Sequence, residues 1–191
     1  MSQPSPEIEH LHLEVDGERL HVAAWLPAGE IKAVALLLHG SLANGRIFYS
    51  LSGRGLAPFL ARHGIACYVP DLRGRGRSLP TLSRHSRHGQ WETVAIDIPA
   101  LHGWVRQRHP QLPMRWLGHS WGGVMMVAAM ARWPQLATEV RSLALLASKR
   151  TLLQRSLSYH LQVNLIPDYL CCAATLPKSA ATLQHTDLLR N

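Results

Sequence analysis

The sequence predicts an α/β fold, with a mostly parallel sheet, helices on both of its faces and an antiparallel hairpin at its N-terminal end. Unbroken apolar runs in KAVALLLHG (32–40) and IACYVPD (65–71) are typical of strands buried on both faces of a parallel sheet. Segments with apolar residues at helical spacing follow these runs, so strand and helix alternate three times from Leu36 onward. Such an order requires right-handed crossovers that cover both faces of the sheet with helices.

The segment LHLEVDGERLHVAAWLP (11–27) predicts the hairpin. Its apolar residues alternate on both sides of a polar DGE stretch, which is typical of two strands joined by a tight turn. We expect one face of this hairpin to be half buried. In GLAPFLARHG (55–64), Leu56, Phe59 and Leu60 have helical spacing, which predicts a helix that stops at Gly64.

A longer helix is predicted over WETVAIDIPALHGWVRQRHP (91–110), where we expect Pro99 to bend the helix or to move its start. Its apolar face comprises Val94, Ile98, Leu101 and Val105. Three further elements follow: a short strand in MRWLGHS (114–120), a helix in WGGVMMVAAMARWP (121–134) ended by Pro134, and another buried strand in VRSLALLAS (140–148).

Length and charge narrow the possible functions. The chain has 191 residues, long enough for one domain with a good core and short for two. A formal net charge of +8 invites a nucleic-acid interpretation, but the densest basic stretch, RGRGRSLPTLSRHSRH (73–88), has no aromatic residues on which bases could stack. We therefore interpret the arginines as solvated surface and expect no specific nucleic-acid partner. The same stretch holds His85 and His88 but contains no cysteine or carboxylate, which is weak evidence for a metal, so we predict no metal and no cofactor.

Apolar runs, the N-terminal segment and the cysteines indicate the cellular compartment. No apolar run approaches the roughly 18 residues of a membrane span, and the segment MSQPSPEIEH (1–10) lacks the pattern of a secretory signal. The three cysteines, Cys67, Cys171 and Cys172, do not make a disulfide framework. We expect a cytoplasmic protein without a transmembrane segment, and the sequence leaves the oligomeric state open.

The stretch Gly118-His119-Ser120-Trp121-Gly122 fits the pattern G-x-S-x-G. A predicted strand enters it and a predicted helix leaves it, which is the context that a nucleophile elbow requires. There the serine occupies a strained turn that presents its Oγ above the sheet, and small neighbours prevent a collision. Gly123 would let the helix start close to the strand, and the helix N-terminus adds positive potential where an oxyanion forms. The alternative is a small-residue turn used only for packing.

Two more stretches support the functional interpretation. LLLHGS (36–41) ends a buried strand at the edge of the sheet where ligands bind in such folds. A backbone N–H just after His39-Gly40 could meet the Trp121 N–H to form an oxyanion hole. VPDLRGRGRS (69–78) ends the next strand in a turn punctuated by glycines.

With these three stretches in the expected order, the chain resembles the α/β-hydrolase family over residues 10–150 or so. It is similar to the serine-hydrolase branch of monoacylglycerol lipases, lysophospholipases and serine aminopeptidases. The resemblance implies that Ser120 is the nucleophile and that the N–H groups of Ser41 and Trp121 are the oxyanion donors. It also implies that His39 and Gly40 shape the loop, with His39 a structural residue rather than the base. A serine at the elbow disfavours the dehalogenase and epoxide-hydrolase branches, which place an aspartate there.

The later part of the chain departs from this pattern. The family order is serine, then Asp or Glu, then His, and both partners follow strands beyond the elbow. The acids and histidines that follow Ser120 here do not come after buried strands; they are Glu139, Asp168, Asp187, His160 and His185. We expect His119 to point away from Ser120. We predict a hydrolase core over 1–150 and, over 151–191, the start of a cap-like helix and an irregular tail.

These features lead to a functional hypothesis with alternatives. We expect the front part of a serine hydrolase, ended by an altered reading frame or a premature stop, and therefore impaired. Its reaction would be the hydrolysis of a small-molecule carboxylic ester, such as a lipid or lysophospholipid ester, through an acyl-serine intermediate. Amide or peptide hydrolysis uses the same apparatus and is the rival activity. A non-catalytic remnant that binds a ligand or partner is a second alternative, and nucleic-acid binding ranks last.

Overall fold

A computed structural model describes residues 6–148 of the chain. Within them the chain forms a sheet of six strands in the order β1-β2-β4-β3-β5-β6. The strand bounds are β1 Glu7–Val15, β2 Glu18–Leu26, β3 Ala33–Leu38, β4 Ile65–Pro70, β5 Met114–His119 and β6 Val140–Leu146. The cap-like helix and tail predicted for 151–191 lie outside the described residues.

The pairing of the strands confirms the predicted fold class. β1 pairs antiparallel with β2, and β2 pairs antiparallel with β4. The pairs β3–β4, β3–β5 and β5–β6 are all parallel. The sheet is therefore mostly parallel, with an antiparallel hairpin at its N-terminal end.

The hairpin turn is made by Asp16 and Gly17, whose φ angles are 51° and 75°. Two successive left-handed residues make a turn whose twist matches that of the strands, and Asp-Gly favours it. The expectation of one half-buried face is wrong for β2, whose central residues are buried on both faces. The reason is its position: β2 lies inside the sheet, between β1 and β4.

The helices lie between the strands as predicted, and two short helical turns of other types are present as well. Their bounds are α1 Leu56–Arg62, α2 Gln90–Glu92, α3 Ile98–Arg108, α4 Trp121–Arg132 and α5 Pro134–Glu139. A 3₁₀ turn (Gly45–Ile47) follows β3, and a π-helical turn (Thr93–Asp97) joins α2 to α3. Pro99 lies in the first turn of α3, where its missing N–H costs nothing, so the regular α-helix starts beside it.

Two details of helix packing differ from expectation. The buried face of α1 consists of Ala57, Pro58 and Ala61, whereas Phe59 is 50% exposed. Pro134 ends α4 as predicted, but it also starts the short helix α5, because proline is favoured at the first helical position. The predicted apolar face of α3 and the turn before it is confirmed, since all four of its residues are buried: Val94, Ile98, Leu101 and Val105.

β6 is a strand as predicted, but it is not the buried strand we expected. Five of its seven residues are exposed, and Leu145 and Leu146 are 48% and 42% exposed. Within residues 6–148, β6 is the edge strand and pairs only with β5, which accounts for its exposure.

Alternation along the strands divides the core into two apolar clusters. Leu36 and Leu38 of β3 belong to the cluster that contains α3 and α4, while Ala35 and Leu37 belong to the cluster that contains α1. Helices therefore cover both faces of the sheet. Among the described residues, no helix is long and apolar enough to span a bilayer.

Candidate active site

The candidate site lies at the carboxyl edge of the three central strands. β3, β4 and β5 run parallel and are adjacent, so the residues that follow them lie along the same edge. Those residues are His39 after β3, Asp71 after β4 and Ser120 after β5. In open α/β sheets this edge is where ligands bind.

Ser120 forms a sharp bend between β5 and α4. Its φ of 53° and ψ of −123° are sparsely populated for a residue with a side chain, and such strain is typical of functional turns. The Ser120 N–H donates to the carbonyl of Leu146 at 2.7 Å, which fixes the bend against β6. The residue is only partly buried, so its hydroxyl is placed at the edge rather than in the core.

The glycines around Ser120 allow backbones to approach where no side chain fits. A Cβ on Gly118 would overlap the backbone of Gly123, and a Cβ on Gly122 would overlap the carbonyls of Leu38 and His39. The elbow therefore depends on these glycines for close packing of α4 against β5 and the end of β3. A Cβ on Gly123 would likewise overlap the side chain of Ser148.

His39 is fully buried, and both of its ring nitrogens are occupied. Nδ1 donates to the carbonyl of Gly40 at 2.7 Å, and Nε2 accepts from the Leu72 N–H at 3.0 Å. This pairing requires the neutral ring. Burial lowers the pKa of His39, although the hydrogen bond to Gly40 opposes that effect. The ring has no nitrogen left with which to accept the Ser120 proton, and it orders the loop instead.

Two backbone amides beside Ser120 have no acceptor among residues 6–148: those of Ser41 and Trp121. Trp121 starts α4, where the first N–H groups have no partner within the helix. Ser41 follows Gly40, whose Cβ position would lie 3.1 Å from the Ser120 Cβ and 3.5 Å from its Oγ. The Trp121 amide thus follows Ser120 directly in sequence, and the Ser41 amide follows a residue that packs against Ser120.

No base is hydrogen-bonded to Ser120 Oγ within residues 6–148. Within 6–148, no histidine forms a hydrogen bond with Ser120 Oγ; His119 Nδ1 is buried and unpartnered in this part of the chain. Glu139, the first acid after the elbow, accepts from His102 at 2.7 Å at the end of α5. The other acids and histidines considered above lie outside the described residues: Asp168, Asp187, His160 and His185.

Asp71 is a site residue that sequence reasoning missed. It is 4% exposed and accepts hydrogen bonds from Gly45, Arg77 and His21. The only available signal was its position at the end of a buried strand, in the glycine-rich turn already noted. Across residues 6–148 there is no group of three His, Cys, Asp or Glu side chains suited to a metal ion.

Comparisons with known proteins agree with this geometry. The family model described as "Serine aminopeptidase, S33" matches residues 29–181. The chain is 29% identical over 130 residues to a monoacylglycerol lipase of Mycolicibacterium smegmatis, covering 68% of the chain and 44% of that protein. It is 27% identical over 133 residues to a monoglyceride lipase of Rattus norvegicus, covering 69% and 40%.

A solved thioesterase domain from the curacin biosynthetic pathway has the same fold, with a TM-score of 0.58 at 24% identity. The match covers 83% of this chain and 51% of that one. The chain spans less than half the length of the two lipases that it matches.

Proposed function

The chain belongs to the serine aminopeptidase S33 family of α/β-hydrolases, and from this we propose that it hydrolyses carboxylic esters through an acyl intermediate on Ser120. The geometry of the elbow carries the proposal: a strained serine lies beside two amides without acceptors in the described part of the chain. The names of two relatives, a monoacylglycerol lipase and a monoglyceride lipase, favour a lipid ester as substrate.

The proposed reaction proceeds in two steps. Ser120 Oγ attacks the ester carbonyl while a base takes its proton, and the carbonyl oxygen becomes an anion held by the N–H groups of Ser41 and Trp121. The alcohol leaves with a proton, and water then releases the acid from Ser120. No histidine within residues 6–148 is hydrogen-bonded to Ser120 Oγ, so the proposal places the base in the rest of the protein.

Hydrolysis of a p-nitrophenyl ester by the full chain tests the proposal. We expect turnover that Ser120→Ala abolishes, because Ser120 is the only serine with a positive φ among residues 6–148. Ser83→Ala is the matched control, since Ser83 is an exposed serine of the surface turn that follows the glycine-rich segment. Equal turnover by the parent chain and Ser120→Ala would refute the proposal.

The same assay separates the rival activity. A p-nitroanilide of the same acyl group measures amide hydrolysis through the release of p-nitroaniline, in place of the p-nitrophenolate that the ester releases. We expect the ester to be the better substrate, because the two relatives are lipases by name. A higher kcat/KM for the anilide would assign the site to peptides instead.

A binding protein without turnover is the second candidate. It is favoured by one observation: within the described residues, Ser120 Oγ has no histidine partner. In this case the parent chain would retain a long-chain monoacylglycerol but would hydrolyse no ester faster than Ser120→Ala.

A further inference from the structure

Asp71 is a buried carboxylate that joins three separate segments. Its Oδ1 accepts from the Gly45 N–H at 2.7 Å, and its Oδ2 accepts from the Arg77 N–H and from His21 Nδ1, both at 2.9 Å. Burial acts to raise the pKa of this carboxyl, but the hydrogen bonds from His21, Gly45 and Arg77 hold the pKa below its ordinary value. At neutral pH Asp71 is therefore an ionised acceptor for all three donors.

His21 is the side chain that orients this carboxylate. It is 1% exposed, and because Asp71 can only accept, the proton on His21 lies on Nδ1. Its other nitrogen, Nε2, lies 2.9 Å from His10 Nδ1 on β1. The main chain adds two more connections: Asp71 N–H donates to His21 O at 2.8 Å, and His21 N–H donates to Ser78 Oγ at 2.9 Å.

Through Gly45, Asp71 holds one end of the loop formed by residues 40–45, which we name the oxyanion loop. His39 holds the other end, where its Nδ1 donates to the carbonyl of Gly40. Within the loop the Ala43 N–H donates to the same carbonyl at 3.2 Å. The Gly40 carbonyl and the Ser41 N–H belong to one planar peptide group, so whatever orients the carbonyl also orients the amide.

We propose that Asp71 and His21 are positioning residues for the Ser41 amide, because they anchor the far end of the oxyanion loop. Neither residue touches the reacting atoms; each acts through Gly45. The inference rests on the proposed function, since the direction of this amide matters only if an oxyanion forms beside Ser120. Loss of the anchor would displace the Ser41 N–H rather than remove it, and a misplacement of about 1 Å costs roughly 10²-fold in rate.

Three variants of the full chain test this role. Asp71→Asn replaces an acceptor with an NH₂ group that faces the donors on His21 and Arg77. His21→Leu removes the donor that orients Asp71, whereas His21→Asn keeps an N–H near the position of Nδ1. His102→Gln is the matched control, because His102 is also a buried histidine bonded to a carboxylate, Glu139, but joins α3 to α5.

Two measurements are made on each variant: kcat and KM for a p-nitrophenyl ester, and hydrogen exchange of the Gly45 and Ala43 amides. We expect Asp71→Asn to lower kcat by about 10- to 100-fold with little change in KM, because the lost interaction acts on the transition state. Exchange of both amides should become at least about tenfold faster. We expect His21→Leu to behave similarly, His21→Asn to recover most of the loss, and His102→Gln to change neither quantity specifically.

The outcomes are separable. Unchanged exchange of Gly45 and Ala43 in both Asp71→Asn and His21→Leu would overturn the inference, whatever the rates are. If Asp71→Asn does not fold, the comparison of His21→Leu with His21→Asn decides in the same way. If the parent chain hydrolyses no ester, the proposed function fails, and the exchange rates alone then support or overturn the anchoring of the oxyanion loop.

Discussion

Two aspartates are buried in the described part of the chain, and their environments shift their pKa values in opposite directions. Asp71 lies beside the oxyanion loop, where hydrogen bonds from His21 and two backbone amides outweigh burial and lower its pKa. Asp97 lies in the π-helical turn before α3, where burial raises its pKa to about 6 although Arg73 donates to it. The two carboxyl groups are similarly buried, but their hydrogen-bond partners give them opposite pKa shifts.

The difference lies in what each carboxylate holds. Asp71 binds two main-chain N–H groups, so its position fixes the course of the backbone around the site. Asp97 binds the guanidinium of Arg73, which is itself buried and also faces Asp16 and Glu18. We infer that Asp71 determines local geometry, whereas the Arg73–Asp97 pair determines whether the hairpin and the helix before α3 stay together.

The largest effect on stability is expected from Asp97→Ala. It leaves the buried charge of Arg73 without its main partner, which costs about 3–5 kcal/mol of unfolding free energy. Urea unfolding followed by circular dichroism measures the loss. The double variant Arg73→Leu/Asp97→Leu is the control, and its recovery of stability would show that the uncompensated charge is the cause. A loss below about 1 kcal/mol in Asp97→Ala, the value of an exposed pair, would contradict this role.

Ser41→Pro tests the other side of the comparison directly, because it removes the N–H that Asp71 is inferred to position. Loss of one oxyanion donor lowers kcat by about 10²- to 10³-fold. Ser41→Ala removes the hydroxyl but keeps the amide, so the ratio of the two rates isolates the N–H. Equal rates for the two variants would exclude the Ser41 amide as a donor.

The pH dependence of unfolding should distinguish the two aspartates. Folded Asp97 holds its proton more tightly than unfolded Asp97, so protonation of Asp97 adds stability below about pH 4, and this added stability is lost as the pH rises through about 6. Asp71 has the opposite sign: its contribution is present above its ordinary pKa and is lost as the pH falls through its lowered pKa.

Between about pH 4 and 6 the parent chain should lose up to about 3 kcal/mol of unfolding free energy through Asp97, and we expect Asp97→Asn to remove this loss. Asp71→Asn should change the slope only at lower pH. Urea titrations at several pH values measure both slopes, and identical profiles for the two variants would contradict the assigned environments.

The smallest effect is expected at the elbow. Glycine adopts the φ of 53° at Ser120 without strain, so Ser120→Gly should raise the unfolding free energy by up to about 1 kcal/mol while it removes the nucleophile. Thermal unfolding measures this gain, and Ser83→Gly at an exposed position is the control. A destabilised Ser120→Gly would show that the hydroxyl contributes to folding.

Local patterns were sufficient for the strands, the Asp16-Gly17 turn and the elbow, because each depends on residues that are neighbours in sequence. They gave the packing of α1 only in part: Leu56 and Leu60 pack against the core, but Phe59 is exposed. The fully buried side chains of this helix include Ala57 and Ala61. Alanine gives little signal for a buried position in a pattern of hydrophobic residues, yet its small side chain allows a helix to pack closely against a sheet.

The contacts around Asp71 could not be predicted from the sequence, because their partners are distant along the chain. The hydrogen bond from Gly45 spans 26 residues, and the one from His21 spans 50 residues. Only the strand order β2-β4-β3 brings these segments together. The same argument applies to Arg73. Its interpretation as a solvated surface arginine is wrong, because Arg73 is 6% exposed and pairs with Asp97, which is 24 residues away along the chain.

Labelling of the full chain with a fluorophosphonate probe, followed by peptide mapping, is the most direct measurement of whether Ser120 is an activated nucleophile. We expect one rapidly formed adduct, located on Ser120, and none in Ser120→Ala. Slow labelling spread over exposed serines such as Ser41 and Ser83, with no preference for Ser120, would contradict the proposed activity.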